Sequence, residues 1–328
     1  LQLVGLLLLV SAPQGRAEEA EDYEAFTDFI ITYNRNYSTA EEFQKRLAIF
    51  AENKAWVDAH NNGSHSWQAE LNEFSDLSWA EFSAKLKADQ VCVSTQQTPK
   101  TVKGPLPDPP PSVDWRTKGV VSPVKSQGLC GSCWAFSATG CLESMTAIKT
   151  GKLVPLSEQQ LIDCSTNFNN HGCKGGSPSQ AFESVMYQGG LDSEQSYLYK
   201  AKTETCTFSN ATVAATVASV VNITQDDEDQ LEQAVANVGP VSVSFHIAIG
   251  FQFYRGGVYY SKKCPQTPEE TDHAVLAVGY DHDASSDMDY WIIKNSWGTK
   301  WGLDGYFWLQ RGANMCGVAA CASYAVVR

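Results

Sequence analysis

Apolar side chains recur along this chain at three different spacings, and each spacing marks a different part of it. Leu1 to Val10 is one continuous apolar run of about ten residues, roughly half of what a helix needs to cross a bilayer. With Gly15 and Ala17 following in a small-x-small arrangement, residues 1–17 read as a secretory leader cleaved before Glu18. The leader is expected to be truncated at its start, since no Met and no basic stretch precede the run. From Asp22 to about Asn34, Phe26, Phe29, Ile30 and Tyr33 return at helical spacing. A longer helix is expected between Thr39 and Asn61, where Glu42, Arg46, Phe50, Asn53, Val57 and Asn61 step by three or four and line one face. The stretch QQTPKTVKGPLPDPPPS, Gln96 to Ser112, breaks the period and reads as an exposed linker open to proteolysis. Two units follow from this: a helical segment, 18–108, and a larger one, 109–328.

The larger unit changes character halfway. Cys133 opens an apolar helix that runs to about Thr150 and stops at Gly151. Ser157 with Gln160 forms a capping-box pattern before LIDC, and Ser177-Pro178 opens a helix closed by Gly189-Gly190. After about Ser219 the runs become alternating and β-branched: VSVSF at 241–245, HAVLAVGY at 273–280, YWIIKNSW at 290–297 and GYFWLQ at 305–310. The expectation is an α+β fold in which a helical subdomain, about 109–218, faces a β-barrel-like one, about 219–328, across a cleft.

Charge narrows the partners. The 328 residues carry 37 Asp and Glu against 24 Lys and Arg, a formal net charge of −13. The excess holds on both sides of Asp108, which sets nucleic acid aside and suits an acidic compartment. The leader's apolar run is too short to span a bilayer, and no other stretch could cross a membrane. Behind a secretory leader, the ten cysteines pose a question of disulfides rather than of metal, and neither a metal nor a cofactor is expected.

Chemistry concentrates in SQGLCGSCWAFS, residues 126–137. A thiol on the first turn of a helix faces N–H groups and a dipole that favour its anion, so Cys133 is expected as a thiolate well below the free-cysteine value of about 8.5. His273 lies at the head of an apolar strand, and Asn295 lies in KNSWG, beyond a stretch at Asp281 to Asp289 read as a flexible insertion. Acyl transfer at a peptide bond needs a nucleophile, a proton donor and oxyanion donors, and these residue types supply them. Taken singly they have blander readings: a disulfide for Cys133, a structural histidine, a turn asparagine, and an ordinary turn at Gly175-Gly176. A redox site at Cys130 and Cys133 would need a βαβ unit, and zinc would need four spaced ligands; neither pattern is present.

The C-G-S-C-W around Cys133, the flanks of His273 and Asn295, and two patterns upstream together resemble the papain-like cysteine proteases, from about Tyr23 to Arg328. Upstream, the helical face at Glu42 to Asn61 matches the E-R-F-N-I-N signature of their propeptides, with Val57 in place of isoleucine. Asn72, Phe74 and Asp76 match a second propeptide motif in which Glu70 replaces a glycine. The resemblance implies a papain-like two-subdomain fold, an enzyme starting near Pro109, and an inhibitory prosegment threaded through the cleft after Asp76. It implies Cys133 as nucleophile, His273 as acid and base, Asn295 as its orienter, Gln127 with the Cys133 N–H as oxyanion hole, and Trp297 as a roof over the pair. Gly175 and Gly176 would then bind substrate backbone. Implied disulfides are Cys130 with Cys173, Cys164 with Cys206, and Cys264 with Cys316, leaving Cys141 as a buried thiol.

Cys92 and Cys321 remain, and a bond between them is the arrangement of cathepsin H-type members of the family, which the stretches AHNNGSH, FNNHGCKGG and MCGVAACASY also resemble. There a propeptide remnant stays in the cleft. Its counterpart here is ADQVCVST, 88–95, with Thr95 supplying a carboxylate for the free amino group of the substrate, which implies an aminopeptidase. A cathepsin L-like endopeptidase is the alternative if Thr95 is not the processed end, and an inactive binding homologue is the remote one. Implied partners are peptide and protein substrates, the enzyme's own propeptide and cystatin-type inhibitors. The sequons at Asn36, Asn62, Asn210 and Asn222 fit glycan-directed delivery to a lysosome, or secretion.

Overall fold

A computed structural model describes residues 13–86, 91–92 and 106–328. The apolar core of the expected leader, Thr95, most of the 88–95 segment and most of the linker lie outside the described residues. The prosegment begins with α1 (Pro13–Thr32) and α2 (Ala40–Asn61), whose buried Phe26, Phe29 and Phe50 make a small core of their own. Helix α1 starts well before the expected Asp22 and runs through the Ala17/Glu18 boundary. Its first turns are rich in Ala and Glu, strong helix formers without an apolar stripe, so the aromatic period could not mark its start. Helix α2 matches its predicted bounds because the Thr39 side chain accepts the Glu42 N–H and caps it.

The signature face of α2 holds the chain that follows it. Arg46 pairs with Glu42 and Glu81 and donates to the Asp76 carbonyl, Asn53 donates to the Ser75 and Leu77 carbonyls, and Asn61 exchanges two bonds with Ala69. These bonds position β1 (Trp67–Ala69) and α3 (Trp79–Leu86).

The enzyme unit contains β2 (Val113–Asp114), α4 (Cys133–Thr150), α5 (Glu158–Cys164), α6 (Pro178–Gln188), β3 (Leu191–Asp192), β4 (Val213–Ala215) and β5 (Val217–Asn222). It continues with α7 (Glu228–Asn237), β6 (Val241–Phe245), β7 (Tyr254–Tyr259), β8 (His273–Asp283), β9 (Met288–Lys294), β10 (Tyr306–Gln310) and β11 (Ser323–Val327). The main sheet runs β1-β7-β10-β9-β8-β6-β11-β5, with β2 also on β8, while β3 and β4 pair apart. The prosegment thus adds an antiparallel edge strand, Trp67 opposite Gly257.

Helix α4 spans its predicted residues. Gly151 closes it at φ 71°, a conformation costly for any residue with a Cβ. Its mostly buried length packs on β8 and β11, joining the two halves through one core.

Four expectations are corrected. The halves do not divide cleanly: β2 and β4 lie before residue 219, and α7 sits within the β half. Helix α7 escaped notice because it has a single amphipathic face of Leu231, Ala234 and Val235. Strand β6 is buried on both faces rather than alternating. Ser157 caps α5 through the Gln160 N–H, but the Gln160 side chain bonds Gly190 and Asp192 instead of completing a capping box. The stretch at 281–289 is not a loose insertion but the hairpin joining β8 and β9, its turn pinned by Asp283 accepting from Ser285 and Ser286.

Candidate active site

The loop before α4 and the heads of two strands converge at one point. Cys133 begins α4, and its sulfur accepts the N–H of Ala274 at 3.4 Å, which places it beside the first turn of β8. His273 starts β8, opposite Phe245 of β6. Its Nε2 lies 2.8 Å from the Oδ1 of Asn295, which follows the last residue of β9. The Asn295 oxygen also accepts the Ser296 N–H at 2.8 Å, so the acceptor is held toward the ring. Because that oxygen can only accept, Nε2 carries the proton in this bond, which fixes the tautomer of a neutral ring. The Trp297 ring lies 4.9 Å from the imidazole and closes it off from water.

Gln127 approaches from the other side. Its Nε2 donates to the Cys130 carbonyl at 2.8 Å, its Oε1 accepts the Ser296 hydroxyl at 2.7 Å, and its N–H donates to the Ser296 carbonyl at 2.8 Å. One N–H of the side-chain amide remains for a reacting oxygen. Spacing along the chain could not show Ser296 or Tyr199 as parts of this site, since they touch the loop only in three dimensions.

Burial pushes the Cys133 thiol up to about 12, against the opposing pull of the Ala274 and Trp134 N–H groups. The helix start does favour the anion, as the sequence argued, but desolvation in the covered site outweighs it. The cover is aromatic at the roof: Phe74 and Phe82 of the prosegment meet Trp297 edge-on at 5.5 and 5.4 Å. Asn72 reaches across to the Gln252 carbonyl at 2.7 Å, and Glu70, where a glycine is usual, pairs with Arg255.

Beneath the site lies a buried charge cluster that the sequence did not announce. Lys125 contacts Glu143 at 2.9 Å and Glu158 at 2.7 Å, and the ammonium of Lys294 donates to Ser122, which in turn bonds Glu143. Burial lifts the Glu158 carboxyl to about 7 and depresses Lys294 to about 8.

Gly175 and Gly176 are both buried. Gly175 holds φ 136°, and a Cβ on Gly176 would sit 2.8 Å from the Trp134 ring, so close packing alone explains the second glycine. Disulfides join Cys130 to Cys173, Cys164 to Cys206, Cys264 to Cys316 and Cys92 to Cys321, while Cys133 and Cys141 are free and buried. Asn36, Asn62 and Asn210 are exposed, whereas Asn222 is half-buried opposite Ser323 and lines a cavity with Val91. Among the described residues no cluster could hold a metal ion, and no helix is long and apolar enough to cross a membrane.

Comparison with known proteins agrees with this geometry. Residues 109–326 match the papain family of cysteine proteases, and residues 26–82 match the cathepsin propeptide inhibitor domain. Mouse pro-cathepsin H is 49% identical over 92% of this chain and 90% of its own length, and tomato cysteine proteinase 3 is 49% identical over 92% and 84%. The digestive procathepsin L2 proteinase from the Tenebrio molitor larval midgut superposes with a TM-score of 0.85 at 38% identity, over 93% of this chain and 99% of that one. The stem bromelain precursor superposes with 0.84 at 32% identity, over 94% and 99%. The chain therefore belongs to the papain family of cysteine peptidases, and it is synthesised with its own inhibitory propeptide.

Proposed function

We propose that Cys133 attacks the scissile carbonyl and forms a thioester with the acyl half of the substrate. His273 protonates the departing amine and then takes a proton from the deacylating water, and Asn295 keeps the ring in the required orientation. The Gln127 amide and the Cys133 N–H receive the oxyanion, each donor worth about 3 kcal/mol in the transition state. Removal of the prosegment would return water to the sulfur, leaving the helix N–H groups and a protonated His273 to favour the thiolate. Gly175 and Gly176 would present backbone to an extended substrate.

Within that chemistry we favour an aminopeptidase. The observation that carries this is the Cys92–Cys321 bond, whose ends lie 229 positions apart in the sequence, because it would keep a prosegment fragment on the enzyme after the linker is cut. Val91 beside it is 1% exposed and lines one cavity with Ser177 to Ser179 and Ala320 to Ser323, so the prosegment is buried as well as tethered at this point. A carboxylate at Thr95 would then attract the substrate ammonium and limit the cleft to one residue before the cut. Resemblance to pro-cathepsin H supports this reading, and on the same resemblance we propose a secretory route, delivery to a lysosome, glycosylation and inhibition by cystatin-type proteins. Mass spectrometry of the matured protein tests it: a disulfide-linked peptide ending at Thr95 is expected, together with cleavage of substrates bearing a free amino terminus. Loss of the Cys92 peptide, with full activity on amino-blocked substrates, would leave a cathepsin L-like endopeptidase.

A further inference from the structure

Tyr199 lies outside the residues assigned above, yet its hydroxyl touches both sides of the oxyanion site. It stands 2.7 Å from the Gln127 carbonyl and 2.8 Å from the Ser132 hydroxyl. A phenol has one proton, and a carbonyl can only accept, so Tyr199 donates to Gln127 and accepts from Ser132. The order Ser132 O–H to Tyr199 O–H to Gln127 carbonyl follows, the other acceptor near the Ser132 hydroxyl being the Cys130 carbonyl at a longer 3.5 Å.

Ser132 is the residue before Cys133, standing at the cap of α4 without capping it; its hydroxyl is directed to Tyr199 instead. One side of the bridge thus holds the peptide that precedes the Cys133 N–H. The other holds the backbone of Gln127, whose next residue, Gly128, takes φ 59° in the turn. The bridge itself is anchored three ways. Its ring meets Phe136, one turn along α4, edge-on at 4.9 Å. Its N–H donates to Glu194 at 3.0 Å, and the N–H of the next residue, Lys200, donates to Gln159 of α5 at 2.8 Å.

We propose that Tyr199 is a positioning residue for peptide hydrolysis, setting the separation of the two oxyanion donors, the Gln127 amide and the Cys133 N–H. The contacts to Ser296 fix Gln127 against the β half, and the Cys130 carbonyl accepts both the Gln127 side-chain amide and the Ser132 N–H; Tyr199 adds a second bridge, from the Gln127 backbone to the Ser132 hydroxyl. Donors placed for a developing charge lose effect when they drift by fractions of an ångström, whereas substrate binding elsewhere in the cleft does not depend on them. This rests on the proposed role of Gln127.

The test uses enzyme matured from the full chain carrying Tyr199→Phe, which keeps the ring against Phe136. For a peptide anilide, kcat should fall about tenfold with KM within twofold. Alkylation of Cys133 by iodoacetamide, which builds no oxyanion, should be unchanged. In a Gln127→Ala background, Tyr199→Phe should lower kcat by less than twofold further. An alkylation rate that falls in step with kcat would overturn the proposal, as would a full tenfold loss on top of Gln127→Ala or an unchanged kcat in Tyr199→Phe. If Gln127→Ala itself leaves kcat unchanged, the oxyanion assignment fails first. If Gln127→Ala lowers kcat and Tyr199→Phe does not, only the present inference fails. Should Tyr199→Phe not fold, Ser132→Ala carries the same arms, with a kcat loss of about threefold expected at constant alkylation rate.

Discussion

The prosegment carries a pair of histidines whose charging should loosen it. His60, near the end of α2, is 9% exposed, and its ring stacks on the exposed His65 with centroids 4.0 Å apart and planes 7° apart. Trp56 covers His60 from its own helix at 5.1 Å, and Trp67 of β1 lies 4.0 Å away. Among the described residues the enzyme meets the tryptophans around the pair with rings: Phe253 meets Trp56, and Tyr254 and Tyr259 meet Trp67. Asp58 and the exposed Arg255–Glu70 pair are the nearby charged groups, and neither bonds an imidazole. Burial, with the charge of His65 behind it, lowers the His60 value from that of a free imidazole. A group depressed in the docked state favours docking fully above its undocked value, about 6.5, and loses that contribution as pH falls through the docked value. Two imidazoliums 4.0 Å apart repel by about 1 kcal/mol in water and about 4 kcal/mol at an effective dielectric of 20. Because His65 is exposed and both rings belong to the prosegment, about 1–2 kcal/mol is the most that reaches the packing of α2 on β1, equivalent to a roughly five- to thirtyfold looser hold on β1 at pH 5 than at pH 7. Hydrogen exchange at residues 67–70 in full-length Cys133→Ala, which on the role proposed for Cys133 would not process itself, reads this directly, since these amides pair with β7 and its neighbour Phe253 and with Asn61. After correction for intrinsic rates, exchange should quicken by that factor between pH 7 and pH 5. In His65→Phe, which keeps the stack and removes the second charge, most of the change should vanish. An undiminished pH response in a folded His65→Phe zymogen would refute the reasoning.

Three further outcomes follow from the same structure. Phe82→Ala removes a fully buried ring that touches Phe74, Trp79 and Trp297; such losses cost about 3–5 kcal/mol, of which the single contact across to Trp297 is worth about 1 kcal/mol. Self-processing near pH 6 should quicken at least fivefold, and an unchanged rate would show that the roof contact does not restrain the prosegment. The covered Cys133 should resist iodoacetamide in the zymogen at pH 8, because burial holds the thiol neutral to about 12, yet react at pH 6 once the prosegment is removed; equal rates in the two forms would contradict the desolvation argument. Glu158 is raised by burial, against the opposing pull of Lys125, and so binds more protons folded than unfolded; its contribution is complete below the unfolded value of about 4.3 and is lost as pH rises through the folded one. Thermal scans of wild type should show stability falling across that window. Glu158→Gln should flatten the fall, and a slope as steep as wild type would assign it elsewhere.

What could be read from the sequence, and what could not, divides along a physical line. Helix α2, the start and stop of α4, and the strand that His273 heads are each written in a local period or a cap, and the family motifs then name the residues at their ends. The wrong or missing readings share the opposite property. The early start of α1 depends on Ala and Glu propensity, which leaves no apolar stripe to follow. The charge cluster of Lys125, Glu143, Glu158 and Lys294 draws on four separate segments, and each member alone looks like a surface residue until the core closes around it. Cys133 shows how the two kinds of information combine. Its place on the first turn of α4 fixes which charge state the enzyme half favours, but the state of the sulfur in the zymogen is decided by what covers it. On the role proposed for Cys133, latency and catalysis would then be set by one atom: with the prosegment in place the sulfur is buried, and removal of the prosegment would admit water while leaving the N–H groups of Ala274 and Trp134 to favour the anion. On this argument the zymogen does not need a distorted catalytic group to remain inactive, because the bond between His273 and Asn295 is already formed at 2.8 Å beneath the prosegment.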